Sequence, residues 1–121
     1  MKVKKIKIGI KDLKTALDDF VRMGDAIEQG GKIKKEKGIY FTSFEAFRKA
    51  LTPKRLELLR IIKTKKPSSI NELARMTQRD KKNVSDDVKY LKQIGLMERE
   101  KIQRRSRPFI PYDRIDLEIA V

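Results

Sequence analysis

Residues 69–95 read SINELARMTQRDKKNVSDDVKYLKQIG. Ser69 and Glu72 have capping-box spacing, and Ile70, Leu73, Ala74 and Met76 follow at intervals that turn them inward on a short helix. "TQRD" (77–80) is a turn. Asp80 is a natural cap for a second helix from Lys81 to Ile94. Val84, Val88, Leu91 and Ile94 give that helix one apolar face, and Gly95 stops it. Downstream, "LMERE" (96–100) and "PFI" (108–110) can pair as a hairpin around the basic "KIQRRSR" (101–107). A capped helix, a tight turn, an amphipathic helix and a charged hairpin describe a winged helix-turn-helix, whose second helix enters a DNA major groove.

Upstream, Thr52-Pro53 opens a further helix, with Thr as cap and Pro as its first residue. Leu56, Leu59 and Ile62, flanked by Leu58 and Ile61, form its stripe, and "KTKKPSS" (63–69) breaks it. Nearer the N-terminus, Val3 to Ile10 alternates around Ile6, Ile8 and Ile10, the period of a half-buried strand. Asp12 can cap a helix from Leu13 to about Gln29 with Leu13, Leu17, Phe20, Val21, Gly24 and Ile27 on one face. "GIYFT" (38–42) reads as a second strand, and Thr42 with Glu45 as the cap of a short helix carrying Phe44, Phe47 and Leu51. Arg114 to Val121 alternates again. Its outer Asp116 and Glu118 complement Lys5 and Lys7 of the first strand, so either the two strands pair, within one chain or between two, or each is an edge strand whose charges prevent aggregation. The fold class is α+β: a strand-helix-strand extension over 1–52, a candidate dimerisation element, then a winged helix-turn-helix over 53–121.

Lys and Arg number 31 against 17 Asp and Glu, a net +14. Residues before Pro53 carry +6 and the rest +8, so the excess runs through the chain, and polyanions are the natural partners. With no Cys and no His, thiol chemistry, imidazole ligands and the commonest general base are absent. The acidic pairs Asp18-Asp19 and Asp86-Asp87 are adjacent along helices and diverge, so no enzyme, cofactor or metal is expected. No segment approaches the roughly 18 apolar residues of a membrane span, and the start lacks the apolar run of a signal peptide. A soluble cytoplasmic protein on the nucleoid is expected.

The groove-entering helix offers Lys81, Lys82, Asn83, Ser85 and Asp86 for base edges. Asn reads adenine, Lys guanine or phosphate, Ser either, and Asp accepts from cytosine. Phosphate or minor-groove contacts are expected from Ser69, Lys89, Arg99, Lys101, Arg104, Arg105 and Arg107, with Lys54, Arg55, Lys63, Lys65 and Lys66 as weaker candidates. Two adjacent aspartates are unfavourable among phosphates, so Asp87, beside the buried face, is assigned a structural role.

"ELARMTQRDKKNVSDDVKYLKQIGLMERE" (72–100) resembles the helix-turn-helix of MarR-like and ArsR-like prokaryotic regulators in Leu73-Ala74, the capped helix from Asp80 and the Gly95-Leu96 exit. "GIYFTSFEAFRKALTPKRLELLR" (38–60) with "PYDRIDLEIAV" (111–121) is similar to small archaeal and bacterial winged-helix regulators associated with antitoxins. The resemblance covers roughly 38–121. It implies a dimeric, sequence-specific transcriptional regulator of double-stranded DNA, a repressor or autoregulator, with a toxin-type protein as a further candidate partner. Gln78, where a turn glycine is common, and Asp86 depart from the pattern. ArsR-like metal sensing is not implied, because its ligands are missing. The competing readings are a basic RNA-binding or ribosome-associated winged helix and a non-specific architectural chromatin protein.

Overall fold

The computed structural model describes residues 4–12, 14, 17, 18, 21 and 38–120. Its labelled elements run β1 (Lys5–Ile10), β2 (Gly38–Phe41), α1 (Phe44–Ala50), α2 (Pro53–Lys65), α3 (Ile70–Thr77), α4 (Lys81–Ile94), β3 (Glu98–Ile102), β4 (Arg105–Phe109) and β5 (Arg114–Ile119). Two units divide them: Met1–Lys4 with Leu51–Asp113, and Lys5–Ala50 with Arg114–Val121.

In the first unit the helix boundaries follow local chemistry. Thr52 accepts the Arg55 N–H at 3.2 Å and Pro53 opens α2. Ser69 accepts the Glu72 N–H at 3.1 Å, while the Glu72 carboxylate takes the Ser68 hydroxyl at 2.6 Å. Asp80 caps α4 by accepting the Asn83 N–H at 3.4 Å. Both helices of the motif close on a left-handed residue, Gln78 at φ 52° and Gly95 at φ 95°. In each case the next N–H reaches back to the helix, Arg79 to the Ala74 carbonyl and Leu96 to that of Leu91.

Leu58, Leu59 and Ile62 of α2, Ile70, Leu73 and Ala74 of α3, and Val84, Val88 and Leu91 of α4 are buried, with Leu96 and Met97. Two expectations shift here. Leu56 is exposed, because α2 carries five apolar residues in seven positions and the inward face centres on Leu58 and Ile62. Met76 is exposed too, since the α3 face is filled by Ile70, Leu73 and Ala74. The hairpin also starts later than Leu96: Leu96 and Met97 belong to the core, and β3 pairs antiparallel with β4 from Glu98↔Phe109 to Ile102↔Arg105. Gln103, at φ 57°, makes the turn.

The second unit is a parallel sheet in the order β2-β1-β5. The terminal strands therefore pair within one chain, in register from Lys5↔Arg114 to Ile10↔Ile119. The segment 114–119, grouped by its position in the sequence with the helix-turn-helix, lies in this sheet. Ile6, Ile8 and Ile10 are buried, and Lys7 reaches Glu118 at 2.6 Å. Lys5 sits opposite Arg114, so only one of the two expected cross-strand charge pairs forms. Gly9 is required by Tyr40: a Cβ there would lie 2.6 Å from the ring. α1 begins one residue later than expected. Ser43, not Thr42, accepts the Ala46 N–H at 3.0 Å, because β2 runs to Phe41 and the chain bends before turning into helix. Of the helix expected over 13–29, residues 14, 17, 18 and 21 are helical, with Leu17 and Val21 more than half exposed. The rest of it lies outside the described residues.

Candidate nucleic-acid interface

At about 100° per residue, the buried Val84, Val88 and Leu91 fix which residues of α4 point outward. The outermost ridge is Lys82, Asp86, Lys89 and Gln93, all exposed. Exposed Asn83 lies on one flank beside Tyr90. Lys81 and half-buried Ser85 lie on the other. The five base-reading candidates thus occupy a ridge and both its shoulders rather than a single line. Gln93 belongs to the ridge but lies beyond the first two turns, where sequence reasoning looked for readers.

Beside this buried face, Asp87 ties α4 to its neighbours. Its carboxylate accepts Arg55 Nε of α2 at 3.0 Å and Arg79 Nη2 of the turn at 2.7 Å, with all three side chains about four-fifths buried or more. The Arg55 guanidinium stacks 4.1 Å over the Tyr90 ring, binding α2 to α4 a second time. Burial acts to raise the Asp87 pKa, but the hydrogen bonds and charges of Arg79 and Arg55 outweigh it and hold the carboxyl below its ordinary value. Asp87 therefore has the structural role assigned to it. Arg55 spends its Nε in that role. The Arg79 and Arg55 partners escaped the sequence reading because the contacts span 8 and 32 residues.

On the hairpin, alternation puts Arg99, Lys101, Ser106 and Pro108 on one face and Glu100, Ile102, Arg105 and Arg107 on the other. Pro108 is fully buried and Arg99 half-buried, so Arg99 faces inward. Arg107 pairs with Glu100 at 2.6 Å. Lys101, Arg104 and Arg105, at the tip, are exposed and form no ion pair among the described residues. Lys63 bonds to Asp113 at 3.0 Å and donates to the Ile110 carbonyl. The Asp113 carboxyl is held below its ordinary value by the Lys4 backbone N–H first, then by Lys63. Ser69 spends its hydroxyl on the α3 cap.

Between α3 and α4 lies an open hollow of about 530 Å³ lined by Asn71, Ala74, Arg75, Gln78, Arg79 and Lys81. Arg75 and Asn71 are exposed there and were not among the expected contacts. Across the unit of residues 1–4 and 51–113, 19 Lys and Arg face 8 Asp and Glu, a net +11; the other unit, with 12 against 9, carries +3. The charge that looked evenly spread along the sequence is concentrated in the helix-turn-helix unit, because residues 114–121 fold elsewhere. Among the described residues there is no group of three or more acidic side chains able to hold a metal ion, and no helix is long and apolar enough to cross a membrane.

The fold is similar to a solved structure from E. coli, that of a predicted DNA-binding transcriptional regulator. The TM-score is 0.50 at 21% identity, over 77% of this chain and 84% of the other. No curated protein matches the sequence. The family model described as HVO_A0114 matches residues 50–117, which hold α2, α3, α4, the hairpin and the start of β5. That span is more than half of the chain, and the protein belongs to the HVO_A0114 family.

Proposed function

We propose that this protein is a sequence-specific regulator of transcription that binds double-stranded DNA as a homodimer on the nucleoid and represses its own promoter or others. α4 enters the major groove with Lys81, Lys82, Asn83, Ser85 and Asp86 toward base edges. Lys89 neutralises a phosphate, and the hairpin tip lies along the backbone or in the minor groove. The carrying observation is how the cations are distributed. Arg55, Arg79, Lys63 and Arg107 are bound to carboxylates of their own unit, whereas Lys81, Lys82, Lys89, Lys101, Arg104 and Arg105 stand exposed without ion pairs among the described residues. Lys54, Arg60, Lys65, Lys66, Arg75 and Lys92 are exposed without such pairs as well, so the cationic surface is broad. The α4 ridge and the hairpin tip are the parts of it that lie on a groove-entering helix and a wing.

The test is competition binding among a duplex from its own promoter, a random DNA duplex and an RNA duplex at two salt concentrations. A regulator keeps its preference for one DNA duplex after salt has weakened the rest. Equal affinity for every DNA duplex makes it an architectural protein instead, and preference for the A-form duplex makes it an RNA-binding module.

A further inference from the structure

The edge of the sheet formed by β5 has the marks of an interface. Natural edge strands are protected by proline, bulges, charged side chains or brevity. β5 has only charge, and Arg114, Asp116 and Glu118 are neutralised within their own sheet. It is six residues long, RIDLEI, in unbroken register with β1 on one side and no strand on the other among the described residues. Leu117 and Ile119 are 47% and 48% exposed, although their register partners Ile8 and Ile10 are buried. The same unit also exposes Leu17, Val21, Tyr40 and Phe44. Leu117 and Ile119 lie on one face of the strand two residues apart, a local apolar strip at the sheet edge.

Charge says what associates. Two copies of a +14 chain repel, and they approach most easily where the charge is least, on the +3 unit. On β5 itself Arg114 pairs with Asp116 at 2.8 Å and Glu118 with Lys7 at 2.6 Å, so the strand brings no net charge to a contact. In an antiparallel pair, opposed residues share a face. A two-fold axis through Asp116 sets Arg114 opposite the partner's Glu118 twice, and Ile115 opposite the partner's Leu117 twice. The two Asp116 carboxylates at the axis are each compensated by their own Arg114. Sliding the register by two residues in one direction opposes Asp116 to the partner's Glu118, like charge on like. In the other direction it keeps only the Arg114 and Asp116 pair and leaves Glu118 opposite Tyr112.

We propose that β5 is the seam of a homodimer, pairing antiparallel with β5 of a second copy to merge two three-stranded sheets into one of six. This rests on the dimeric reading above and names its interface. The chain has no cysteine, so Asp116→Cys introduces a single thiol at the axis. Mild oxidation should convert most of that variant to a disulfide-linked dimer, while Thr42→Cys, exposed beside β2, should stay monomeric on a non-reducing gel. By sedimentation equilibrium without DNA, the unaltered protein should show twice the 14.2 kDa chain mass. Leu117→Arg with Ile119→Arg should show one chain mass with an unchanged circular dichroism spectrum. A monomeric unaltered protein, a dimeric double-arginine variant, or cross-linking only through Thr42→Cys would each overturn the seam. A monomer that still selects its promoter duplex would sink the seam and leave DNA recognition standing. A dimer indifferent to DNA sequence would do the reverse.

Discussion

Asp87 reinforces the orientation that the buried face gives α4, since one carboxylate ties that helix to both α2 and the turn. Its lowered pKa fixes the sign of a pH effect. An aspartate more acidic in the folded state contributes full stability above its ordinary 3.8 and loses it as pH falls through the lowered value. Asp87→Asn should lower unfolding free energy at pH 7 by about 2–3 kcal/mol, the scale of lost charge-assisted hydrogen bonds. It should also flatten the fall below about pH 4 relative to the parent, leaving the part due to Asp113. Urea titrations at pH 7 and pH 3 would measure both. Gln78 lies in the left-handed region, where a side chain costs roughly 1–2 kcal/mol and glycine's extra unfolded-state freedom returns part of it. Gln78→Gly should therefore stabilise by about 0.5–1 kcal/mol, read as a higher urea midpoint with unchanged slope. The absence of a turn glycine, which looked from sequence like a departure from pattern, is in the fold a small strain.

Helix and hairpin differ in what they offer a duplex. Asn83→Ala should cost on the order of 1–3 kcal/mol at a cognate site and little elsewhere. Arg104→Ala with Arg105→Ala should weaken all duplexes alike and reduce the log–log salt slope by about 0.9 for each phosphate left unneutralised. Equal loss on every sequence for Asn83→Ala would remove α4 from base reading. These elements were legible because their boundary signals are local: Thr52, Ser69, Asp80 and Gly95 each act within about four residues. Legibility failed where local chemistry was degenerate. Thr42 and Ser43 are neighbouring hydroxyls that could each cap α1. The leucines and isoleucines of α2 fit more than one stripe. Leu96 and Met97 could extend a strand as readily as fill a core. In the interface, residue types were readable but not their engagement, since the carboxylate that binds Arg55 lies 32 residues away.

Across the whole molecule the decisive fact is that β5 joins β1, which moves residues 114–121 out of the basic unit and concentrates charge in what remains. The complement of Asp116 and Glu118 with Lys5 and Lys7 pointed to this pairing, but alternation alone fits any sheet, so it did not say which unit the strand joins. β1 is the central strand, so Ile8→Pro removes a backbone donor between two neighbours. Hydrogen exchange should then show β1, β2 and β5 losing protection together while α2, α3 and α4 keep theirs. Loss throughout would mean that the two units unfold as one. The parallel pairing also bears on the order of folding. The bond from the Lys4 backbone to Asp113 closes a loop of 109 residues, which for a flexible chain costs roughly 4 kcal/mol in entropy before any strand contact repays it. Prior folding of the helix-turn-helix would collapse most of that loop. The basic unit then serves its neighbour as an intramolecular template, and during synthesis the central strand must wait, one side unpaired, until the polypeptide beyond the hairpin has emerged.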